Sequence, residues 1–157
     1  MAEGDRLRAL FARFPRGVAV VTVDAEGQRL GLTVSSLVSL SLDPPLVGFA
    51  VSRQAALHEL LREAGACAVS LLAAGQERLA RHFALGVPPI AMWQGVAVEE
   101  ATGGAPLLAG ALGWLECALR DELAVGTHTF FVCDVLRVEL GEDAPALLRV
   151  RGEYGAA

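Results

Sequence analysis

Two long segments near the C-terminus alternate apolar and polar residues, and this pattern constrains the fold more than any other feature. In residues 111–119 the odd positions are apolar, whereas Glu116 and Arg120 lie on the other face. In residues 128–140 one face carries the apolar side chains Phe130, Val132, Leu136, Val138 and Leu140. A period of two is typical of β-strands. The two segments therefore predict long antiparallel strands.

The N-terminal two thirds of the chain mix shorter strands with short helices. The first helix is predicted from the helical spacing of Leu7, Leu10, Phe11 and Phe14, ahead of Pro15 and Gly17. Further helices are predicted within residues 57–64, ended by Gly65, and within residues 75–84. Strands are predicted at residues 18–24, 46–51 and 66–72, with a turn at 24–27.

The order of these elements favours a single mainly β domain over residues 1–157. Helices and strands do not alternate regularly, which disfavours a doubly wound parallel sheet. We therefore expect a β-barrel with helical insertions. Residues 85–109 are predicted to be a long loop, and a loop of this length is usually functional or lies at an interface.

Composition excludes several classes of protein. Hydrophobic residues make up 54% of the chain, yet no run approaches the ~20 apolar residues of a membrane span, and the N-terminus resembles no targeting signal. The apolar excess instead favours a buried interface between subunits. With 13 basic against 18 acidic residues, the net charge of −5 argues against a nucleic-acid partner.

Cysteine and histidine spacings offer no metal site. Cys67, Cys117 and Cys133 lie in separate apolar runs without a CxxC pair, which is typical of buried thiols in a reducing cytoplasm. His58, His82 and His128 show no ligand spacing. The sequence also contains no GxGxxG, P-loop, HExxH or GxSxG motif. An enzyme with this sequence must therefore take its chemistry from a cofactor.

Residues 31–46 are unusually rich in hydroxyl side chains. Thr33, Ser35 and Ser39 occupy alternate positions, with Ser36 beside them. Several small donors in a row suit a phosphate group or the polar edge of an isoalloxazine ring. The same pattern also fits an edge strand with hydroxyls facing solvent. The residues alone leave both interpretations open.

Five segments, in this order, resemble the flavin reductase-like, FMN-binding split-barrel family. They are FARFPRGVAVVTV, GLTVSSLVSLSLDPPLV, AVSLLAAGQERLARHFA, GTHTFFVCDV and the terminal Gly152-Glu153-Tyr154. The resemblance runs from Phe11 to Tyr154. This family includes the short-chain NAD(P)H:flavin reductase components of two-component monooxygenases.

The resemblance implies a fold and a function. The fold is a six-stranded antiparallel split β-barrel that forms a homodimer, with the flavin lying across the subunit boundary. The function is hydride transfer from NADH or NADPH to FMN or FAD, in the cytoplasm, with reduced flavin passing to a partner monooxygenase.

The resemblance also implies site residues. The isoalloxazine ring and ribityl chain would lie along Thr33, Val34, Ser35 and Ser36, with Ser39 beyond them. The flavin phosphate would lie near Ser52, Arg53 and Gln54, since an arginine grips phosphate bidentately; a surface arginine at a helix start is the alternative. Phe83 and Ala84 would lie near the flavin ring or its adenine arm, although Phe83 equally suits the core.

His128 matches a family histidine near the nicotinamide, but Thr127 replaces the aspartate that normally precedes it. Trp93 would either cover the flavin or pack at the dimer interface. Three alternative functions stay open. One is an FMN-binding electron carrier or sensor of the same fold, another is a reductase of ferric iron or corrin cobalt, and the third is a non-enzymatic dimeric barrel.

Overall fold

The computed structural model describes residues 2–157 and consists mainly of antiparallel strands. Seven strands form the main sheet in the order β3-β2-β6-β9-β10-β5-β4. Their bounds are β2 Ala19–Ala25, β3 Gln28–Val34, β4 Val38–Leu42, β5 Pro45–Ser52, β6 Ala66–Leu71, β9 Gly113–Val125 and β10 His128–Leu140. All neighbouring strands in this sheet run antiparallel. The mainly β prediction is confirmed, although the sheet has seven strands where the resemblance implies six.

Two smaller sheets and four helices complete the fold. A three-stranded sheet has the order β1-β11-β12, and β7 pairs with β8. Their bounds are β1 Arg16–Gly17, β7 Val98–Glu99, β8 Leu107–Leu108, β11 Leu147–Val150 and β12 Glu153–Ala156. The helices are α1 Glu3–Ala12, α2 Ala56–Ala64, α3 Glu77–Ala84 and α4 Pro89–Met92, with a 3-10 turn at Ala74–Gln76. None of the helices in residues 2–157 has the length and apolar character needed to cross a membrane.

The β2–β3 hairpin shows how local sequence sets the register. Glu26 and Gly27 form its two-residue loop, with φ of 53° and 87°. Two positive φ values define the type I′ turn, which matches the natural twist of paired strands. The Asp24 carboxylate accepts a hydrogen bond from the Gly27 N–H at 2.8 Å. The turn predicted at residues 24–27 is thereby confirmed.

The core lies between the main sheet and helices α2 and α3. Phe49, Phe83 and Phe131 are fully buried there. The three cysteines lie on adjacent strands of the same core and are all buried as free thiols, which confirms the prediction of buried thiols. Contacts with the Cys117 and Cys133 thiols, together with burial, raise the pKa of Cys67 well above its usual value.

The first helix forms as predicted but leaves its apolar side chains outside the core. It ends at Ala12, before Pro15, and Leu7, Leu10 and Phe11 are all exposed. The spacing identified the helix correctly. Within residues 2–157, however, no residue of this helix is buried.

Residues 85–109, which were predicted to be a long loop, contain α4, β7 and β8 and are held against the sheet. The buried Glu116 side chain accepts hydrogen bonds from the Gly103 N–H at 2.7 Å and the Arg137 guanidinium at 3.0 Å. Burial opposes ionisation of Glu116, but these two hydrogen bonds outweigh it and lower the pKa of Glu116 below its usual value. The segment is therefore fixed to β9 through a buried carboxylate.

Candidate functional site

The hydroxyl-rich segment is partly used to hold the fold together. Thr33 lies on β3, and its hydroxyl donates to the Ala80 carbonyl in α3 at 2.6 Å. Val34 is buried in the core, Ser35 is half-buried, and Ser39 lies exposed on β4. The structure therefore separates these residues, since Thr33 and Val34 hold β3 in place, Ser35 is half-buried and Ser39 is exposed.

Ser36 lies just after β3 and bonds to β5, which is next to the opposite edge of the main sheet. Its hydroxyl accepts a hydrogen bond from the Ala50 N–H at 2.9 Å and donates to the Ala50 carbonyl at 3.3 Å. Ala50 precedes Ser52, the last residue of β5. The segment 33–36 and the segment 52–54 thus lie at the same end of the molecule.

The end of β5 meets the start of β10. Ser52 is directly opposite His128 in the strand register. Arg53 donates from its guanidinium to the carbonyls of Gly126 and His128, and its N–H donates to the Thr127 carbonyl at 3.1 Å. Gln54 is exposed beside it, with its N–H bonded to the Ser52 hydroxyl. The structure therefore brings Ser52, Arg53, Gln54 and His128 together.

His128 directly follows a two-residue turn. Gly126 has φ of 59° and occupies the first central position of this hairpin loop, where a type II′ turn requires glycine. The His128 imidazole is exposed, and its Nδ1 lies 2.9 Å from the Thr127 hydroxyl. Thr127 thus contacts the imidazole from the position where the family carries an aspartate.

Phe83 belongs to the core of this chain. Its ring is 2% exposed and lies against Gly31 of β3, where an added Cβ would come within 2.7 Å of the ring. The Trp93 ring packs against it at a tilt of 52° with centroids 5.2 Å apart, and the Trp93 indole N–H donates to the Arg29 carbonyl. Ala84, by contrast, is exposed at the end of α3. A flavin contact for Phe83 and Ala84 stays a prediction.

A group of arginines near His128 was not predicted from the sequence as part of a site. A cleft of about 820 Å³ runs between α1 and the β11–β12 hairpin, and His128 lines it. Four arginines also line this cleft, namely Arg8, Arg16, Arg149 and Arg151. They come from opposite ends of the chain, which are brought together by the pairing of β1 with β11 and by the hydrogen bond from the Arg151 N–H to the Ala12 carbonyl. No local motif in the sequence could have indicated this.

These residues define an antiparallel β protein with a group of polar side chains where β3 and β5 end and β10 begins. The family model described as "Flavin reductase like domain" matches residues 11–157. The chain therefore belongs to the flavin reductase-like family, as the resemblance predicted.

Similar proteins include enzymes of this family. An NADH-dependent FAD reductase of Streptomyces globisporus is 44% identical over 134 residues, covering 83% of this chain and 73% of the relative. The reductase component of 4-hydroxyphenylacetate 3-monooxygenase from Thermus thermophilus is 40% identical over 150 residues, covering 96% of this chain and 94% of the relative.

A solved structure extends the similarity to three dimensions. The NADH:FAD oxidoreductase of Streptomyces globisporus C-1027, in complex with NAD and FAD fragments, has a TM-score of 0.92 against this chain at 37% identity. The match covers 99% of this chain and 94% of that chain.

The residues gathered where β3 and β5 end and β10 begins have the chemistry needed to hold a flavin. A flavin needs cationic or N–H donors for its phosphate and an apolar surface for its ring. Arg53 is exposed and uses two of its guanidinium nitrogens on backbone carbonyls, so N–H donors remain for a phosphate. The half-buried Ser35 and Leu37 offer a hydroxyl and an apolar surface nearby.

Proposed function

We propose that this chain is a flavin reductase that transfers a hydride from NADH or NADPH to FMN or FAD. The observation that carries the proposal is the juxtaposition of Ser52 and His128 across β5 and β10, with Arg53 bonded to the same hairpin. Membership of the flavin reductase-like family and the activities named for its relatives support it.

The chain's own residues bind and orient the reactants. A bound flavin supplies the chemistry, because its ring accepts a hydride from a reduced nicotinamide. Arg53 holds the Gly126–His128 turn in place and presents its remaining donors to the phosphate. Ser36 fixes the residues that follow β3 against β5, and Ser35 would donate a hydrogen bond to the flavin ring. His128 orients the nicotinamide, and no general base is needed for the hydride.

The same proposal includes a homodimer of split barrels. Ser36 lies in the connection between β3 and β4, the two edge strands of the main sheet, and bonds to Ala50 of β5; this connection brings the two edges together, as closing the sheet into a barrel requires. Strands β4 and β10 leave Leu42, Leu136 and Leu140 at least 69% exposed. Exposed apolar area of this kind is typical of an interface between subunits. The flavin would lie across that interface.

Two further parts of the proposal concern the cellular setting. Reduced flavin passes to a partner oxygenase, which is supported by relatives that are reductase components of monooxygenases. The protein works in the reducing cytoplasm, where three free thiols persist.

The first experiment is the oxidation of NADH and of NADPH with added FMN, added FAD or no flavin. We expect turnover that saturates with the added flavin and prefers one nicotinamide. A yellow protein without turnover would favour an electron carrier, and a colourless inactive protein would overturn flavin chemistry altogether.

Two substitutions test the assigned roles. Arg53→Ala should weaken FMN binding more than riboflavin binding, because riboflavin lacks the phosphate; equal losses would remove Arg53 from the phosphate site. His128→Ala should lower turnover and leave flavin affinity nearly unchanged. Arg78→Ala, which alters an exposed arginine on α3 away from both, is the matched control.

The dimer is tested by sedimentation of the double variant Leu136→Glu with Leu140→Glu. Two carboxylates on the apolar face should convert the dimer to a monomer, because the interface would bury unpaired charge. Leu85→Glu, at a side chain that is 76% exposed outside this face, should leave the dimer intact. A wild-type monomer would contradict the dimer.

A further inference from the structure

A buried hydrogen bond lies next to the start of β10, on the side of the strand away from the His128 imidazole. The His58 side chain of α2 has its Nε2 2.7 Å from the Thr129 hydroxyl oxygen, and both residues are buried. Successive side chains of a strand point to opposite faces, so Thr129 faces the core while its neighbour His128 is exposed. His58 therefore contacts the same strand as His128, but from within the core.

His58 is the polar exception on the buried face of α2. The other buried residues of this helix are Leu57, Leu60 and Leu61. Within residues 2–157, the Nδ1 of His58 has no hydrogen-bond partner, so the bond to Thr129 is the one that the ring makes. Burial of a polar pair costs hydration and leaves a modest net stabilisation, but a directional bond fixes one position of the strand. Stability alone therefore does not account for a histidine here.

The same histidine is bonded to the segment that joins β5 to α2. This segment, residues 53–55, contains Arg53 and Gln54. The His58 N–H donates to the Ala55 carbonyl, and the Ala55 N–H donates to the Ser52 carbonyl, both at 3.0 Å. The bond between His58 and Thr129 therefore connects segment 53–55 to β10 from the core side.

A second set of bonds connects segment 53–55 to the start of β10 at the surface. The Arg53 N–H donates to the Thr127 carbonyl at 3.1 Å, and the Arg53 guanidinium donates to the His128 carbonyl at 2.9 Å. Residues 127–129 are thus held by Arg53 at the surface and by His58 in the core. A shift of the strand relative to segment 53–55 would break one of these bonds.

We propose that His58 is a positioning residue, which acts through Thr129 to hold His128 against segment 53–55. The role rests on the proposed function, in which His128 orients the nicotinamide and Arg53 binds the flavin phosphate. His58 itself is buried and would touch neither reactant. The rate of a reaction between two bound groups depends steeply on their orientation, so a small displacement of one of them is costly. Loss of the bond would therefore lower turnover by letting the start of β10 move.

Two buried threonines allow a matched pair of variants. Thr129→Val keeps the shape of the side chain and removes the hydroxyl. Thr22→Val makes the same change in β2, where the hydroxyl donates to the Pro106 carbonyl at 2.6 Å. Strands β6 and β9 separate β2 from β10. Each variant loses a buried hydrogen bond and should have a lower melting temperature, but Thr22→Val leaves every bond of His58 intact.

The first measurement is hydrogen exchange of the Arg53 amide, followed by NMR, because it requires no activity. This amide is bonded to the Thr127 carbonyl, so its exchange reports local separation of segment 53–55 from β10. Thr129→Val should speed the exchange about ten-fold, whereas Thr22→Val and the hydroxyl-retaining Thr129→Ser should exchange like the wild type. Equally slow exchange in Thr129→Val and in the wild type would overturn the proposal.

The second measurement is steady-state kinetics well below the melting temperatures. Thr129→Val should lower kcat/KM for the nicotinamide dinucleotide about ten-fold and leave the Kd of riboflavin unchanged, because riboflavin has no phosphate to contact Arg53. Thr129→Ser should react like the wild type. A similar loss of turnover in Thr22→Val would show that reduced stability, and not a displaced strand, lowers the rate, and the proposal would fail.

The double variant His58→Leu with Thr129→Val separates position from stability. Two apolar partners leave no unpaired polar group, so the melting temperature should recover toward that of the wild type. Turnover and exchange of the Arg53 amide should stay as in Thr129→Val, since the directional bond is still absent. Recovery of all three would assign the pair to stability alone and contradict the positioning role.

The outcomes for the two proposals remain distinguishable. If the wild type shows no turnover with any flavin, the proposed function fails, while hydrogen exchange at Arg53 still decides whether His58 holds the start of β10. If the double variant does not fold, the comparison of Thr129→Val with Thr129→Ser and Thr22→Val decides without it.

Discussion

The two halves of β10 carry apolar residues at the same spacing but lie in different surroundings. In the first half, Phe131 and Cys133 are completely buried in the core. In the second half, Leu136, Val138 and Leu140 are 69%, 57% and 86% exposed. Register shifts against β9 separate the halves, between Val132 and Cys133 and between Val135 and Arg137. One half is covered by the chain's own helix α2, and the other half is exposed in the single chain.

This difference shows what an alternating pattern specifies. A hydrophobic period of two indicates that the two faces of a strand lie in different environments. It does not indicate which element of the protein covers each face. Phe131 is covered by α2, because His58 of that helix stacks against it with ring centroids 5.4 Å apart. Leu140 has no such neighbour in the single chain. We therefore relate the second half to the proposed dimer.

The largest expected effect is at the buried half. Phe131→Ala should lower the free energy of unfolding by about 3–5 kcal/mol, since it removes a fully buried ring and leaves a cavity. Urea denaturation with an unchanged m-value measures this loss.

Leu140→Ala is the comparison for that measurement. In the monomer it should change the free energy of unfolding by less than about 0.5 kcal/mol. In the dimer its effect should grow with protein concentration, because subunit association is coupled to stability. A large loss that does not depend on concentration would mean that the chain covers both halves itself.

Much of the fold, but less of the site, was predictable from the sequence. The bounds of β10 follow from its alternation, and the β2–β3 turn follows from Asp24 and Gly27, because both signals lie within a few residues. The residues that resemble the family identified it correctly. The face exposed on β10, the docking of residues 85–109 and the meeting of Arg16 with Arg149 depend on contacts between distant segments, which no local pattern contains.

A second prediction concerns a polar contact in the buried half. The His58 Nε2 lies 2.7 Å from the Thr129 hydroxyl, and both residues are buried. Thr129→Val keeps the shape but leaves the imidazole nitrogen without a partner, so the free energy of unfolding should fall by about 2 kcal/mol. The exposed Thr102→Val is the control and should change it by less than about 0.5 kcal/mol. A neutral Thr129→Val would show that water reaches His58.

A smaller loss in the free energy of unfolding is expected in the exposed half of β10, where Arg137 pairs with the carboxylate of Glu116. Glu116→Gln should destabilise the protein by about 1 kcal/mol at neutral pH, because a charged acceptor for Gly103 and Arg137 is lost. The pKa of Glu116 is lowered in the folded state from its usual 4.5. Its stabilisation is therefore complete above that value and disappears as the pH falls through the folded-state pKa.

The difference between wild type and Glu116→Gln should accordingly shrink as the pH drops below 4.5. Glu139→Gln removes an exposed carboxylate that pairs with the same Arg137 at 3.0 Å, and it should cost less than about 0.5 kcal/mol at any pH. Urea denaturation over a pH series compares the two variants. If Glu139→Gln were as costly as Glu116→Gln, the stabilisation would come from the charge on Arg137 and not from the buried carboxylate. The exposed half of β10 would then be held by its surface charges, and residues 85–109 would contribute little to it.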